Sequence, residues 1–194
     1  MIKRLCVYCG SNTGNRPEYT QAARELASAM VNKNIGLVYG GASVGMMGEI
    51  ADAVLKEGGE VIGIIPKGLF VKEVAHTGVS ELREVNTMHE RKEMMAELSD
   101  GFIALPGGLG TIEEFFEIWT WSQLGMHQKP FGLLNACQYY DKLIDFINHA
   151  VSEKFIKEKY RSMVFVEEQP DVLLQKFETY KAPEVARWID QKGI

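Results

Sequence analysis

The chain has 194 residues, 46% of them hydrophobic and 24% charged, with a formal net charge of −5. That length and balance suit one globular domain spanning residues 1–194 with a full core. An acidic chain lacks the basic surface that nucleic-acid binding needs, and no window approaches the ~20 apolar residues of a membrane span. Three cysteines form no even disulfide framework. Met1-Ile2-Lys3-Arg4 leads into an apolar stretch without the long h-region of a signal peptide. A cytoplasmic protein is expected, with neither nucleic acid nor membrane as partner.

In chain order, Leu5-Cys6-Val7-Tyr8 reads as a strand ending in Gly10-Ser11-Asn12, and Pro17 to Lys33 as a helix with Ala22, Leu26, Ala29 and Met30 on one face. The alternation then repeats. Ile35 to Tyr39 is strand-like, Gly45 to Glu57 helical, and Val61 to Ile65 an apolar strand stopped by Pro66. An irregular stretch, Lys67 to Ser80, precedes strand Leu82–Val85, helix Met88–Leu98 and strand Phe102–Leu105. Helix Ile112–Leu124, strand Phe131–Leu134, helix Tyr139–Ser152, strand Met163–Val166 and a C-terminal helix from about Pro170 complete the series. Such order predicts a Rossmann-like α/β fold: a doubly wound, mostly parallel sheet with helices on both faces, whose ligands sit beyond the carboxyl ends of the strands.

Glycine turns follow three predicted strands, at Gly10-Ser11, at Gly40-Gly41-Ala42-Ser43-Val44-Gly45 and at Pro106-Gly107-Gly108-Leu109-Gly110-Thr111. Glycine lets backbone N–H groups approach a ligand, and the helix that follows adds free N–H donors and a positive dipole end, a combination suited to phosphate. On glycines alone, tight strand-to-helix turns explain the pattern equally well. Neither G-x-G-x-x-G nor G-x-x-x-x-G-K-[ST] is present in clean form, which weakens dinucleotide and P-loop readings.

Glu114 invites two explanations. Thr111-Ile112-Glu113-Glu114 spells a capping box, in which Thr111 caps the helix and the glutamate reaches back. Glu114 also shares a helical face with Ile118 and Trp121, beside the apolar stripe Ile112, Phe115, Phe116 and Trp119. A carboxylate entering such surroundings needs a cation or donor nearby. Arg91 is the candidate: it lies three, four and seven residues before Met94, Met95 and Leu98, on the buried stripe of a helix that opens with its own capping box, Thr87 to Glu90. Its planar, permanently charged fork suits a phosphate or ribose hydroxyl, and equally a salt bridge between adjacent helices.

Cys6 and Cys9 spell C-x-x-C, but residues three apart on a strand face opposite sides, which favours a structural role. The four histidines, His76, His89, His127 and His149, show no ligand spacing, so no metal site is expected.

The segment Pro106 to Glu114 resembles the P-G-G-x-G-T-x-x-E signature of the Lonely Guy (LOG) family, the cytokinin riboside 5′-monophosphate phosphoribohydrolases. Cys9-Gly10-Ser11, Val38-Tyr39-Gly40-Gly41, Met88-His89-Glu90-Arg91-Lys92, Thr120 to Gly125 and Lys129-Pro130 are similar to family segments in the same order, with Ala42 where many members have a third glycine. The resemblance implies that Arg91 and Glu114 form the catalytic pair and that the Gly108–Thr111 backbone binds phosphate: Gly108, Leu109, Gly110 and Thr111, with Ile112 and Glu113 continuing the loop into the helix. It implies that Glu73, Lys92 and Thr120 contribute to the nucleotide site. It further implies hydrolysis of the N-glycosidic bond of a nucleoside 5′-monophosphate, a cytokinin precursor or AMP, to free base and ribose 5-phosphate, with no cofactor and by a homodimer. Trp119, Trp121 and Leu124, on a helix apolar nearly all round, agree with a covered face.

The rival reading is a nucleotide-sensing module on the same fold, since fold and phosphate loop do not specify chemistry. Proteins of this kind have also carried a lysine decarboxylase label, but no lysine here is identifiable as a Schiff-base former.

Overall fold

The computed structural model describes residues 1–70 and 74–185. Seven strands form a single sheet in the order β4-β3-β2-β1-β5-β6-β7, with every pairing parallel. They are β1 (Arg4–Tyr8), β2 (Gly36–Tyr39), β3 (Val61–Pro66), β4 (Glu81–Val85), β5 (Gly101–Ala104), β6 (Phe131–Leu134) and β7 (Val164–Glu167). The helices between them are α1 (Pro17–Asn32), α2 (Gly45–Lys56), α3 (Lys67–Phe70), α4 (Met88–Leu98), α5 (Leu109–Gln123), α6 (Asp141–Ser152), α7 (Glu158–Arg161) and α8 (Pro170–Glu178).

Period-two alternation divides the core in two. Leu5, Val7, Ile103 and Leu105 point into a half closed by Leu26, Met30, Ile50 and Val54, and by Leu173, Leu174 and Phe177 of α8. Cys6, Tyr8, Phe102 and Ala104 point into the other half, against Met95, Phe115, Ile118, Trp119 and Ile147. Burial of each large apolar side chain is worth ~2–3 kcal/mol. Cys6 and Cys9 accordingly lie in different halves of the core, as strand geometry requires, both as free thiols.

Crossovers of one hand make this arrangement. From β1 the chain moves outward to β2 and β3 through α1 and α2 on one face, whereas α4 and α5 serve β5 and β6 on the other. The strand order reverses between β1 and β5, so the loops leaving these two neighbours diverge and open a crevice.

Several boundaries differ from those read in the sequence. Pro66 closes β3 rather than stopping it, pairing in register with Val85. A short 3-10 turn, Ala136–Gln138, precedes α6, which therefore begins at Asp141. The largest consequence attaches to α5, which starts at Leu109 rather than Ile112 and has Gly108 as its N-cap. Among the described residues no helix is long and apolar enough to cross a membrane.

Candidate active site

The crevice at the β1/β5 reversal has a volume of about 250 Å³ and is lined by Gly10 to Gly14, Tyr19, Pro106 to Gly108 and Tyr139. Its two loops are joined directly: Gly10 N–H donates to Pro106 O (3.2 Å), and Gly10 O accepts from Met46 N–H (3.0 Å) at the start of α2. Gly107 is required by packing, because a Cβ there would fall 2.1 Å from Thr111 Oγ1 and 2.8 Å from Gly10 N. Gly108 and Gly110 are different. A Cβ on either would meet no atom within 4 Å, and neither has positive φ, so the protein's own packing does not call for glycine there. Both positions open onto free space at the start of α5, where unpaired N–H groups and the helix dipole suit an anion.

The early start of α5 corrects the capping-box reading of Thr111 and Glu114. Thr111 stands within the first helical turn, 3% exposed, and makes no side-chain cap. Glu114 does not reach back. Its carboxylate accepts from Arg91 Nη1 at 2.7 Å, and each side chain is only 10% exposed. Burial raises the Glu114 carboxyl above its usual value, and the opposing pull of Arg91 limits the rise.

Arg91 reaches this position from the first turn of α4, whose expected capping box is formed on one side and shifted on the other: Thr87 Oγ1 accepts from Glu90 N–H (3.1 Å), while Glu90 reaches back past the N-cap to Asn86 N–H (2.7 Å). A cation near a helix N-terminus is opposed by the macrodipole. Its compensation comes from other elements: Nε donates to Ile64 O of β3 (3.2 Å), and Nη1 to Glu114 of α5. The guanidinium also lies over the end of β2, where a Cβ on Gly40 would fall 2.0 Å from Nη2. Gly40 thus makes room for Arg91, a role the sequence reading did not assign to that turn.

The remaining predicted residues divide. Lys92, 8% exposed, donates to Glu113 (2.7 Å) and Glu117 (2.9 Å), so α4 and α5 are laced by two adjacent ion pairs. Those two carboxylates raise its ammonium despite burial, which acts in the opposite direction. Leu109 is 87% exposed at the mouth of the loop, and Ile112 N–H donates to Gly108 O (3.2 Å). Thr120 is not brought to the loop: it lies three helical turns further along α5, and its hydroxyl donates to Phe116 O. Glu73 lies outside the described residues. Trp119 is covered by its own chain, donating from Nε1 to Tyr160 O (3.0 Å), whereas Trp121 and Leu124 are part-exposed.

Sequence reading missed Tyr19 and Tyr139 as crevice walls. The available signal was position, since Tyr139 follows closely on the carboxyl end of β6. Among the described residues no lysine lines the crevice. Among the described residues no cluster of histidine, cysteine or acidic side chains could hold a metal.

The family described as "possible lysine decarboxylase" matches residues 47–177. Over 179 residues, 92% of this chain, the sequence is 49% identical to the cytokinin riboside 5′-monophosphate phosphoribohydrolases LOG1 of Arabidopsis thaliana and LOG of Oryza sativa, covering 84% and 74% of those proteins. In fold the chain is similar to the molybdenum cofactor carrier protein of Chlamydomonas reinhardtii, with a TM-score of 0.70, 18% identity and coverage of 93% and 100% of the two chains. The molybdenum cofactor binding protein of Rippkaea orientalis is comparable, with a TM-score of 0.69, 20% identity and coverage of 92% and 97%. At such identities the likeness concerns the fold alone.

Proposed function

The chain belongs to the Lonely Guy family of cytokinin riboside 5′-monophosphate phosphoribohydrolases, and from that premise we propose that it hydrolyses the N-glycosidic bond of N6-substituted AMP or of AMP itself. The observation that carries the reading is the buried Arg91–Glu114 pair beside an open glycine loop at a helix start. The 5′-phosphate sits on the N–H groups of Gly108 to Thr111 and holds the ribose in place. Arg91 anchors ribose or phosphate oxygens. Glu114, as carboxylate, stabilises positive charge developing at C1′ and orients water. Water adds its hydroxyl to C1′ as the C1′–N bond breaks, its electron pair leaves with the base, and the base gains a proton. Free base and ribose 5-phosphate result. No cofactor takes part in this scheme.

A decarboxylase reading would need a lysine placed to form a Schiff base, yet among the described residues no lysine lines the crevice and Lys92 is engaged by two carboxylates. A nucleotide sensor is the second reading, favoured by the ion pair itself, which would then serve only to join α4 and α5. Incubation with AMP and with N6-isopentenyladenosine monophosphate, followed by chromatography for base and ribose 5-phosphate, separates the readings. Release of both products is expected. Tight binding without release, unaltered by Glu114→Gln, would leave the sensor. A homodimer in the cytoplasm completes the proposal, the part-exposed Trp121 and Leu124 and exposed Met88 being apolar groups that a second subunit could cover; sedimentation analysis checks it.

A further inference from the structure

Four successive carbonyls at the root of the glycine loop accept hydrogen bonds. Tyr140 Oη donates to Leu105 O (2.6 Å), Gly10 N–H to Pro106 O (3.2 Å), Tyr139 Oη to Gly107 O (2.7 Å), and Ile112 N–H to Gly108 O (3.2 Å). In a planar trans peptide the C=O and the next N–H point in opposite directions. Fixing the Gly107 carbonyl therefore fixes the Gly108 N–H, just as fixing Pro106 O sets the Gly107 N–H. Glycine allows the backbone wide conformational freedom, so without such anchors these amides would have no preferred direction.

The two tyrosines hold this segment differently. Tyr140 is 2% exposed; its backbone N–H is held by Asn135 Oδ1 (2.7 Å), and Asn135 in turn donates to Asp141 (2.8 Å). Burial raises its phenol well above the usual value, so it remains a donor at every working pH. Tyr139 is 41% exposed, forms a wall of the crevice and meets Tyr19 edge-on with ring centroids 5.6 Å apart. Its hydroxyl is the sole side-chain donor to the Gly107 carbonyl among the described residues.

We propose that Tyr139 is a positioning residue for substrate phosphate, its hydroxyl holding the Gly107–Gly108 peptide in the orientation that presents the Gly108 N–H to the anion. The proposal rests on the glycine loop's being the phosphate site. Tyr140 anchors the base of the same segment and serves stability. The phosphate keeps its charge throughout the reaction, so the Gly108 contact contributes equally to ground and transition states, and its loss falls on KM rather than kcat.

The test is Tyr139→Phe, which removes one hydroxyl and keeps the ring. AMP binding is measured by calorimetry in a Glu114→Gln background, and steady-state constants with Glu114 intact. Kd and KM are expected to rise together by about tenfold, with kcat within about twofold and the melting temperature unchanged. Tyr140→Phe should instead lower the melting temperature, because a buried carbonyl loses its donor. Unchanged affinity in Tyr139→Phe overturns the proposal, as does a fall in kcat at constant KM, or a loss of folding or melting temperature in step with affinity. If the parent protein binds no AMP, the phosphate-site reading fails and takes this proposal with it; if the parent binds and Tyr139→Phe binds as well, only the tyrosine's role is lost.

Discussion

Arg91 Nη1 stands 2.7 Å from Glu114 Oε1, joining two helices that emerge at the carboxyl edge of the sheet, and neither side chain is more than 10% exposed. Such a pair is expensive to desolvate and is weak evidence for stability as such. On the proposed function, its location beside the glycine loop gives it a use. Glu114→Gln should lower kcat by ~100-fold or more, while the neutral amide still accepts from Arg91 and the melting temperature shifts by a few degrees at most. Arg91→Ala should abolish turnover similarly and also destabilise by ~1–3 kcal/mol, since Glu114 is left buried without its cation. Stopped assays with AMP, together with urea denaturation, check both. Near-additive losses in the double variant would contradict a pair acting as a unit.

Gly40→Ala tests the seat of the arginine. The new methyl would fall 2.0 Å from Arg91 Nη2 and 3.0 Å from Met47 Sδ, both at flexible ends, so the fold is retained while the guanidinium is displaced. A fall in kcat/KM of about 10–100-fold is expected, against a small stability change. Wild-type activity in Gly40→Ala would mean that Arg91 need not occupy this position.

The proposed role of Glu114 carries a pH dependence. Burial raises its carboxyl above the usual glutamate value, against the pull of Arg91, and the proposed hydrolysis uses the ionised form. The acid limb of kcat/KM should therefore have its midpoint above the usual glutamate value. Folding responds with the opposite sign: because the native state holds this proton more tightly than the unfolded chain, ionising Glu114 removes stability as pH rises through its raised value. Arg91→Ala should move the limb of any residual activity further up. A pH–rate profile is the measurement.

His127 has the complementary effect on stability. Its ring is held between Ile118 O (2.8 Å) and the Lys129 N–H (3.1 Å), so Nδ1 accepts and Nε2 donates in a neutral imidazole. Burial lowers its pKa from 6.5 to about 4. The unfolded chain thus binds the proton first, and stability fully present above pH 6.5 is lost as pH falls toward 4, by at most ~3 kcal/mol. Urea midpoints across that range should show the slope in the parent protein and its loss in His127→Leu.

Legibility in the sequence followed the strength of local signals. Apolar runs such as Val61–Ile65 can be covered only on both faces, and the alternation with helices then dictates a parallel sheet, which the structure has throughout. Helix α4 spans the expected Met88–Leu98, because its cap and its apolar stripe agree. Helix α5 was misplaced by three residues: Thr111 looks like a cap, but Gly108 takes that position, since the backbone can turn into the helix without any side-chain acceptor. The meeting of Arg91 with Glu114 was legible because each is a polar group on an apolar stripe. Tyr139 and the service of Gly40 to Arg91 were not, because both depend on contacts across strands distant in sequence, which no periodicity records.

The position of β1 at the middle of the sheet ties the crevice to the order in which the chain can fold. Its walls come from residues 10–14 on one side and 106–108 on the other, so the first half of the chain, however well structured, contains no complete site. Closure requires β5 to dock beside β1 across nearly a hundred intervening residues, a non-local pairing that tends to form slowly. On the proposed function, nucleotide affinity is a property of the finished molecule, and a nucleotide bound between the two loops would oppose separation of the sheet at the seam where its halves meet.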